Sequence, residues 1–276
     1  MTYQEIANSV VFSENKYGSN TACIALEEEL IFVEAGLNTL KAKDFRIAME
    51  NKFKRKASTL ILTHGHIDHF YAMDAFADIQ VIAAKEAKPK IERFVKAEFT
   101  DELIANFERV FPTFTEAAKD AKLFMPEKWI NGKMSIGKND EIQIQVTGGH
   151  SNCSSSIHFA PEKILAAGDL LQVNGYPYFG EPDTDIGKWT NAIKTWEQME
   201  LDAIIPGHGS LVKKQFLTKV RVFFEEMVEV LIELKKENIS EEEIANHIKL
   251  PVGYWPKDAI RTPSYVYSIV SLYKKL

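Results

Sequence analysis

The spacing of apolar positions changes repeatedly along the chain, and each change marks an element. Ser9 to Phe12, Ala22 to Ala25 and Leu30 to Val33 are short apolar runs separated by Asn15 to Asn20 and by the acidic tip Glu27-Glu28-Glu29, the pattern of a β-meander. Thr39 to Phe53 sets Leu40, Phe45, Ile47, Ala48 and Phe53 among lysines, which predicts an amphipathic helix over one sheet face. Thr59 to Leu62 reads as a buried strand, Asp68 to Phe76 as a helix and Ile79 to Ala83 as a further strand. From Lys85 to Met125 the pattern is helical, with Leu103, Ile104, Phe107 and Phe111 following an N-cap at Thr100. Phe94, Phe99, Phe114 and Phe124 enrich this stretch. It reads as a helical layer closing the core, with a lid or a dimer surface as the alternatives.

Alternation of period two returns from Lys133 to Val146, and further strands are read at Lys163 to Ala167 and Ala203 to Ile205. A long helix from about Phe216 to Lys236 carries Phe216, Val220, Phe223, Phe224, Met227, Leu231 and Leu234 on one side. Such a stripe reads as core before it reads as a partner surface. Ser240 and Glu243 form a capping box for a short helix to Ile248, and Thr262 with Pro263 opens a last helix burying Val266, Ile269 and Val270. The alternating order of the first two-thirds indicates an α/β fold, residues 1–212, with a helical insertion at about 85–125 and a helical C-terminal extension, 213–276.

Composition narrows the class. A chain of 276 residues suits one large domain or a domain with an appendage. Apolar residues at 45% and charged residues at 26% are ordinary for a globular protein, and no apolar run reaches a membrane span. The first residues lack the basic and apolar regions of a secretory signal, so a cytoplasmic protein is expected. Cys23 and Cys153 have no CxxC partner and read as packing residues. A net charge of −6 disfavours an extended nucleic-acid face. The expected partner is a small-molecule substrate, with no membrane; a homodimer stays open.

The candidate chemistry sits in Thr63-His64-Gly65-His66-Ile67-Asp68-His69. Three imidazoles and a carboxylate so close together are the donors that zinc and other borderline or harder divalent metals prefer. The strand before them delivers them at its carboxyl end. The same arrangement, an apolar strand, a small-residue turn and then a ligand, recurs at Thr147-Gly148-Gly149-His150, Gly168-Asp169 and Pro206-Gly207-His208-Gly209. Seven ligands are too many for one tetrahedral ion and suit two. Gly132 to Asn139 nearly matches a phosphate-binding loop, but Asn139 stands where Ser or Thr is required and a strand follows. His158, in a strand, and His247, in the short helix, read as structural or surface residues.

The order HxHxDH, GH, GD and PGHG resembles the metallo-β-lactamase superfamily, over roughly Asn8 to Leu211. Ser19-Asn20-Thr21 and Val33-Glu34-Ala35-Gly36 look like the family's early strand and its usual Asp-Thr-Gly turn; Glu34 and Ala35 depart from that turn, at a position that is not a ligand. The resemblance implies a four-layer αββα sandwich. It also implies that His64, His66 and His150 hold one divalent metal and Asp68, His69 and His208 a second, with Asp169 bridging. Zinc is expected first, iron or manganese next. Asp68 and Asp169, with a metal-bound hydroxide, would then carry hydrolysis of a thioester, lactone or ester, as in glyoxalase II-like and lactonase relatives. Asp169 stands where β-lactam-degrading relatives carry Cys or Ser. A phosphodiesterase or nuclease of the same fold and a mononuclear iron persulfide dioxygenase are the alternatives; a flavodiiron protein fits less well because that branch has Glu at the place of His66. For substrate contacts, the aromatic loop Gln172 to Asp183 offers Tyr176, Tyr178 and Phe179, and Tyr71 lies two residues past His69.

Overall fold

The computed structural model describes residues 3–118, 121–173, 175–258 and 262–276. Met1 and Thr2, two residues of the predicted helical insertion and Asn174 of the aromatic loop therefore lie outside the described residues. Two sheets stack face to face. The first runs in spatial order β1 (Gln4–Ala7), β2 (Val10–Ser13), β3 (Thr21–Ala25), β4 (Glu29–Val33), β5 (Lys56–Ile61), β6 (Gln80–Ala84) and β7 (Lys128–Ile130). β2, β3 and β4 form the antiparallel meander read from the sequence, β1 adds an antiparallel edge strand that was not read there, and β4 to β7 are parallel. The second sheet is ordered β12 (Ala203–His208), β11 (Ile164–Gln172), β10 (Ser155–Phe159), β9 (Ile142–Val146) and β8 (Lys133–Ile136), antiparallel except for the β11–β12 pair.

Period-two alternation sorts the strand side chains into layers. Val10, Phe12, Ile24, Ile31, Val33 and Ile61 point inward and meet Ile142, Ile144, Ile157, Phe159 and Ile205 of the facing sheet. Their neighbours Val11, Cys23, Phe32 and Leu60 point the other way and pack under α1 (Thr39–Phe53). The stripe that α1 buries is Thr39, Ala42, Phe45 and Met49. Leu40 and Ile47, expected on that face, are exposed, because only positions three and four residues from Phe45 share its side of the helix. The predicted helix from Asp68 is a single α-turn, α2 (Ile67–Phe70), continued by a 3₁₀ segment from Tyr71 to Phe76.

The insertion holds α3 (Lys88–Val95), α4 (Asp101–Val110) and α5 (Phe114–Ala118), and Thr100 caps α4 by accepting the Leu103 N–H at 3.2 Å. The outer face of β11 and β12 is covered by α6 (Ile186–Gln198), α7 (Gln215–Lys236) and α9 (Pro263–Lys275), after the short α8 (Glu241–Ile244). Leu217, Val220, Phe223, Phe224, Met227, Leu231 and Leu234 of α7 are buried there with Leu165, Ile204 and Ile269, so this stripe is core. Of the residues expected to be buried on α9, Ile269 is buried, Val270 half-buried and Val266 exposed, and Tyr265, Ser268, Leu272 and Tyr273 are buried beside Ile269. No helix among the described residues is long and apolar enough to cross a membrane.

Candidate metal centre

The layer architecture brings strand ends from both sheets to one edge. Beyond β5, the segment Thr63 to His66 leads into α2, which carries Asp68 and His69. His150 follows β9 through Gly148 and Gly149, and at Gly149 φ is +116°. A side chain there would stand 2.8 Å from Leu170 and 2.9 Å from Trp189, so glycine is required by both backbone and space. His208 ends β12, and a Cβ on Gly207 beside it would collide with Asp169 Oδ1. Asp169 was expected in a turn after its strand. It lies instead within β11, whose register with β12 shifts between Ala166 and Gly168 and again across Asp169, between Gly168 and Gln172.

The side chains converge in two groups around Asp169. Its Oδ2 is 3.9 Å from His64 Nε2 and 3.8 Å from His150 Nε2, and His150 Nε2 lies 3.2 Å from His66 Nδ1. Its Oδ1 is 3.1 Å from His69 Nε2 and 3.2 Å from His208 Nε2, while Asp68 Oδ2 is 3.3 Å from His208 Nε2 and 3.7 Å from His69 Nε2. His64, His66, His150 and Asp169 thus form one set of ligand atoms mutually within 4.8 Å, and Asp68, His69 and His208 another. His64 Nε2, His69 Nε2 and Asp169 Oδ1 are buried with no hydrogen-bond partner. Buried polar atoms are seldom left so, since each costs about 1–3 kcal/mol. Orphaned nitrogen and carboxylate donors facing one another are what a divalent cation satisfies, and the residues fit a dinuclear metal site.

The opposite edges of the rings are held. His150 Nδ1 donates to the Tyr178 carbonyl at 3.1 Å, and His208 Nδ1 to that of Gly18 at 3.1 Å. His69 Nδ1 lies 3.0 Å from Glu34 Oε1, and His64 Nδ1 3.0 Å from the Thr63 hydroxyl, which itself donates to Glu34 Oε1. Glu34 therefore orients a histidine in each group, directly and through Thr63. It is 3% exposed and adopts φ 65°. Sequence reasoning passed it over as a mere departure from the family's turn. The signal was available: an acid at the carboxyl end of β4 repeats the strand-then-acid pattern of Asp169. His66 is held the other way round, with Nε2 3.2 Å from Glu181 Oε1, and Lys90 Nζ pairs with the other oxygen of Glu181 at 2.6 Å.

Without a cation, protons take up part of its role. Burial and the neighbouring imidazoles hold His64 well below the ordinary histidine range, and burial with His66 takes His150 to about 4. For His69, burial opposes the charge but Asp169, Asp68 and Glu34 outweigh it and hold the ring well above that range. His208 is likewise raised to about 10, as Asp169 and Asp68 overcome its burial. Asp169 is held well below the carboxylate range although buried, by His208 and His69. His64 and His150 are thus neutral with their ring nitrogens free to coordinate, while His69 and His208 are held protonated beside the carboxylates.

The family model described as Metallo-beta-lactamase superfamily matches residues 16–208, which include all seven clustered residues. The chain belongs to this superfamily. Among solved structures it is similar to a metallo-beta-lactamase from Pontibacter korlensis, with 17% identity and a TM-score of 0.59, over 81% of this chain and 98% of that one. It is also similar to the DIM-1 metallo-beta-lactamase, with 14% identity and a TM-score of 0.62, over 81% and 96%. A double mutant of the sec-alkyl sulfatase PisA1 matches with 16% identity and a TM-score of 0.70, over 99% of this chain but only 50% of its own. Identities this low show a shared metallo-β-lactamase fold and leave the branch undecided. No curated protein sequence matches the chain significantly.

In this metallo-β-lactamase fold His66, Asp68, His150, Asp169 and His208 of the cluster form the floor of a cavity of about 900 Å³. Of the four aromatic residues expected at substrate, Tyr178 lines it. Tyr71 is 1% exposed, packed against Phe99 and Phe114, and burial pushes its hydroxyl up to about 12. Tyr176 and Phe179 turn into the core beneath α7 and α9, where they contact Phe223, Tyr265, Trp189 and Phe224. Rings in a Pro- and Gly-rich loop were read as a substrate wall; these two are instead buried against the helices. The apolar wall comes from the insertion instead, from Phe94, Phe107, Val110 and Phe111. Cys153 is buried 3.3 Å from Ser151 Oγ and belongs to neither set of ligand atoms. His158 in β10 and His247, three residues beyond the end of α8, are both half-buried and belong to neither set of ligand atoms.

Proposed function

We propose that this protein is a dinuclear metal-dependent hydrolase acting on a carbonyl substrate, an ester, thioester or lactone. The observation that carries the reading is the position of Asp169, whose two oxygens face the two separate sets of imidazoles. His64, His66 and His150 would hold one ion and Asp68, His69 and His208 the other, with Asp169 placed between them. When bound, two divalent ions, zinc foremost with iron or manganese as the other candidates, supply Lewis-acid charge and a water acidic enough to be a nucleophile at neutral pH. The chain contributes orientation. Glu34, Thr63, Tyr178 and Gly18 fix the rings from behind, so that little reorganisation is needed when charge develops on the substrate oxygen. Asp68 lines the cavity and is held ionised, against its burial, by His69 and His208. It takes up the proton released as water attacks.

A carbonyl substrate is favoured over a nucleic acid by what surrounds the floor. Lys90 is paired with Glu181 and Asp183, and the Arg93 guanidinium lies over the Phe94 ring at 4.9 Å, so among the described residues the rim offers no open row of cations for a phosphate backbone. The test is a hydrolysis panel run on metal-loaded protein with thioester, lactone, carboxylester, phosphodiester, sulfate ester and β-lactam. Turnover of at least one of the first three classes is expected. Turnover confined to phosphodiester, sulfate ester or β-lactam overturns the reading.

A further inference from the structure

The cavity above the cluster has two unlike sides. Opposite the polar floor stand Phe94 from α3, Phe107 and Val110 from α4, and Phe111 just beyond it. Phe107 packs its ring against Phe94 and Phe114, with centroids 5.9 Å and 4.8 Å apart, so the wall is anchored to the core. Its packing is nevertheless unfinished. No residue of α4 is fully buried, and Val110 is 66% exposed. Apolar surface left open to water, continuous with a site of polar and ionisable groups, is the construction of a pocket completed by the apolar part of its ligand. Among the described residues the rim cations Lys90 and Arg93 are engaged as described, and the wall offers a selective feature of its own.

We infer that this wall is the subsite for the acyl chain of the substrate, so that the preferred substrates are esters or thioesters of medium-chain apolar acids. The assignment of the reactive group rests on the hydrolase reading above; the wall is read independently from α3 and α4. In the reaction, water adds its oxygen to the carbonyl carbon and the bond from that carbon to the alkoxy or thiolate group breaks. The leaving group takes up a proton, and the free acid is released with its chain still against Phe107. No oxidant or second substrate is required.

Two measurements on the metal-loaded protein test this. The first is kcat/KM for p-nitrophenyl esters from acetyl through butanoyl, hexanoyl and octanoyl, with the thioester series alongside. A rise of about two- to fourfold per added methylene is expected, as for a chain leaving water for an apolar surface. Val110→Asp, at an exposed position that tolerates the charge, and Phe107→Ala should each lower the ratio of octanoyl to acetyl kcat/KM at least tenfold. The second measurement is calorimetric titration with octanoate and with acetate, where octanoate should bind at least tenfold tighter and lose that margin in Val110→Asp. A flat chain-length profile with acetyl ester still hydrolysed overturns the subsite and spares the hydrolase. A gradient indifferent to both substitutions also overturns it. If no carbonyl substrate turns over but octanoate binds through the wall, the hydrolase reading falls and the subsite stands; equal binding of the two acids removes the subsite.

Discussion

Replacing Glu34 by Gln tests how the two halves of the centre are held together. Glu34 Oε1 faces the Thr63 N–H at 3.2 Å, the Thr63 hydroxyl and His69 Nδ1 at 3.0 Å, all in a buried setting. The Gln amide oxygen can keep the Thr63 contacts, because shape and acceptor are preserved. What is lost is charge. A hydrogen bond to an ionised acceptor contributes about 1.5–3 kcal/mol against about 0.5–1.5 kcal/mol for a neutral one, so the bond to His69 should weaken by about 1–1.5 kcal/mol. Because that bond sets the ring's basicity and orientation, affinity for the metal held by Asp68, His69 and His208 should drop about tenfold. Glu34→Ala goes further, since the His69 and Thr63 donors are left in a buried space, each at about 1–3 kcal/mol. The assay is zinc titration of protein stripped of metal, followed by calorimetry, with melting temperature recorded for both variants. Glu34→Gln is expected to keep its fold and lose affinity chiefly in one binding step, and Glu34→Ala to lose several degrees of melting temperature as well. Wild-type affinity in both steps for Glu34→Gln would refute the reasoning.

Three further outcomes are expected. In metal-free protein, His208 at about 10 and His69, both raised above the ordinary 6.5, contribute stability that is present below pH 6.5 and lost as pH rises through their folded values. His150 at about 4 and His64, both lowered, lose stability as pH falls below 6.5, so the melting temperature should peak near pH 6.5, and bound metal should flatten the alkaline arm; a monotonic profile between pH 5 and 9 would contradict this. Ser268→Ala removes a buried hydroxyl that accepts the Phe179 N–H at 2.6 Å next to the Tyr178 carbonyl holding His150, and should weaken metal binding about tenfold; a lower melting temperature with unchanged metal affinity would show a role in packing alone. Gly207→Ala would drive a methyl group into Asp169 and the Gly168 backbone, costing about 1–3 kcal/mol, and should abolish the binding of two ions that wild-type protein shows in the same titration.

The strand-then-ligand repeats at His64, His150, Asp169 and His208 were legible because each combines a period-two apolar run with a chemically distinctive residue. The meander and the buried stripe of α7 were legible from the same periodicities. Asp169 lying within β11 was not, since an irregularity in pairing depends on the neighbouring strand β12 and leaves little mark on local spacing. The aromatic residues divided for a related reason. Local pattern reads Phe107 as core and Phe179 as a substrate contact, and the tertiary arrangement does the reverse, turning Phe107 toward the cavity and Phe179 into the core beneath α7. Glu34 was missed because its importance lies in contacts to Thr63 and His69, some thirty residues away, and a substitution of Asp by Glu in a turn reads as conservative until the longer side chain is seen to reach both.

The central claim is that Asp169 joins two metal ions, and anomalous diffraction at the zinc edge from crystals of zinc-loaded protein tests it most directly. Two peaks are predicted, one among His64, His66 and His150 and one among Asp68, His69 and His208, with an oxygen of Asp169 on each, and His66→Ala should lose the first peak while keeping the second. A single peak, or two peaks with Asp169 bound to neither or to only one, would contradict the claim.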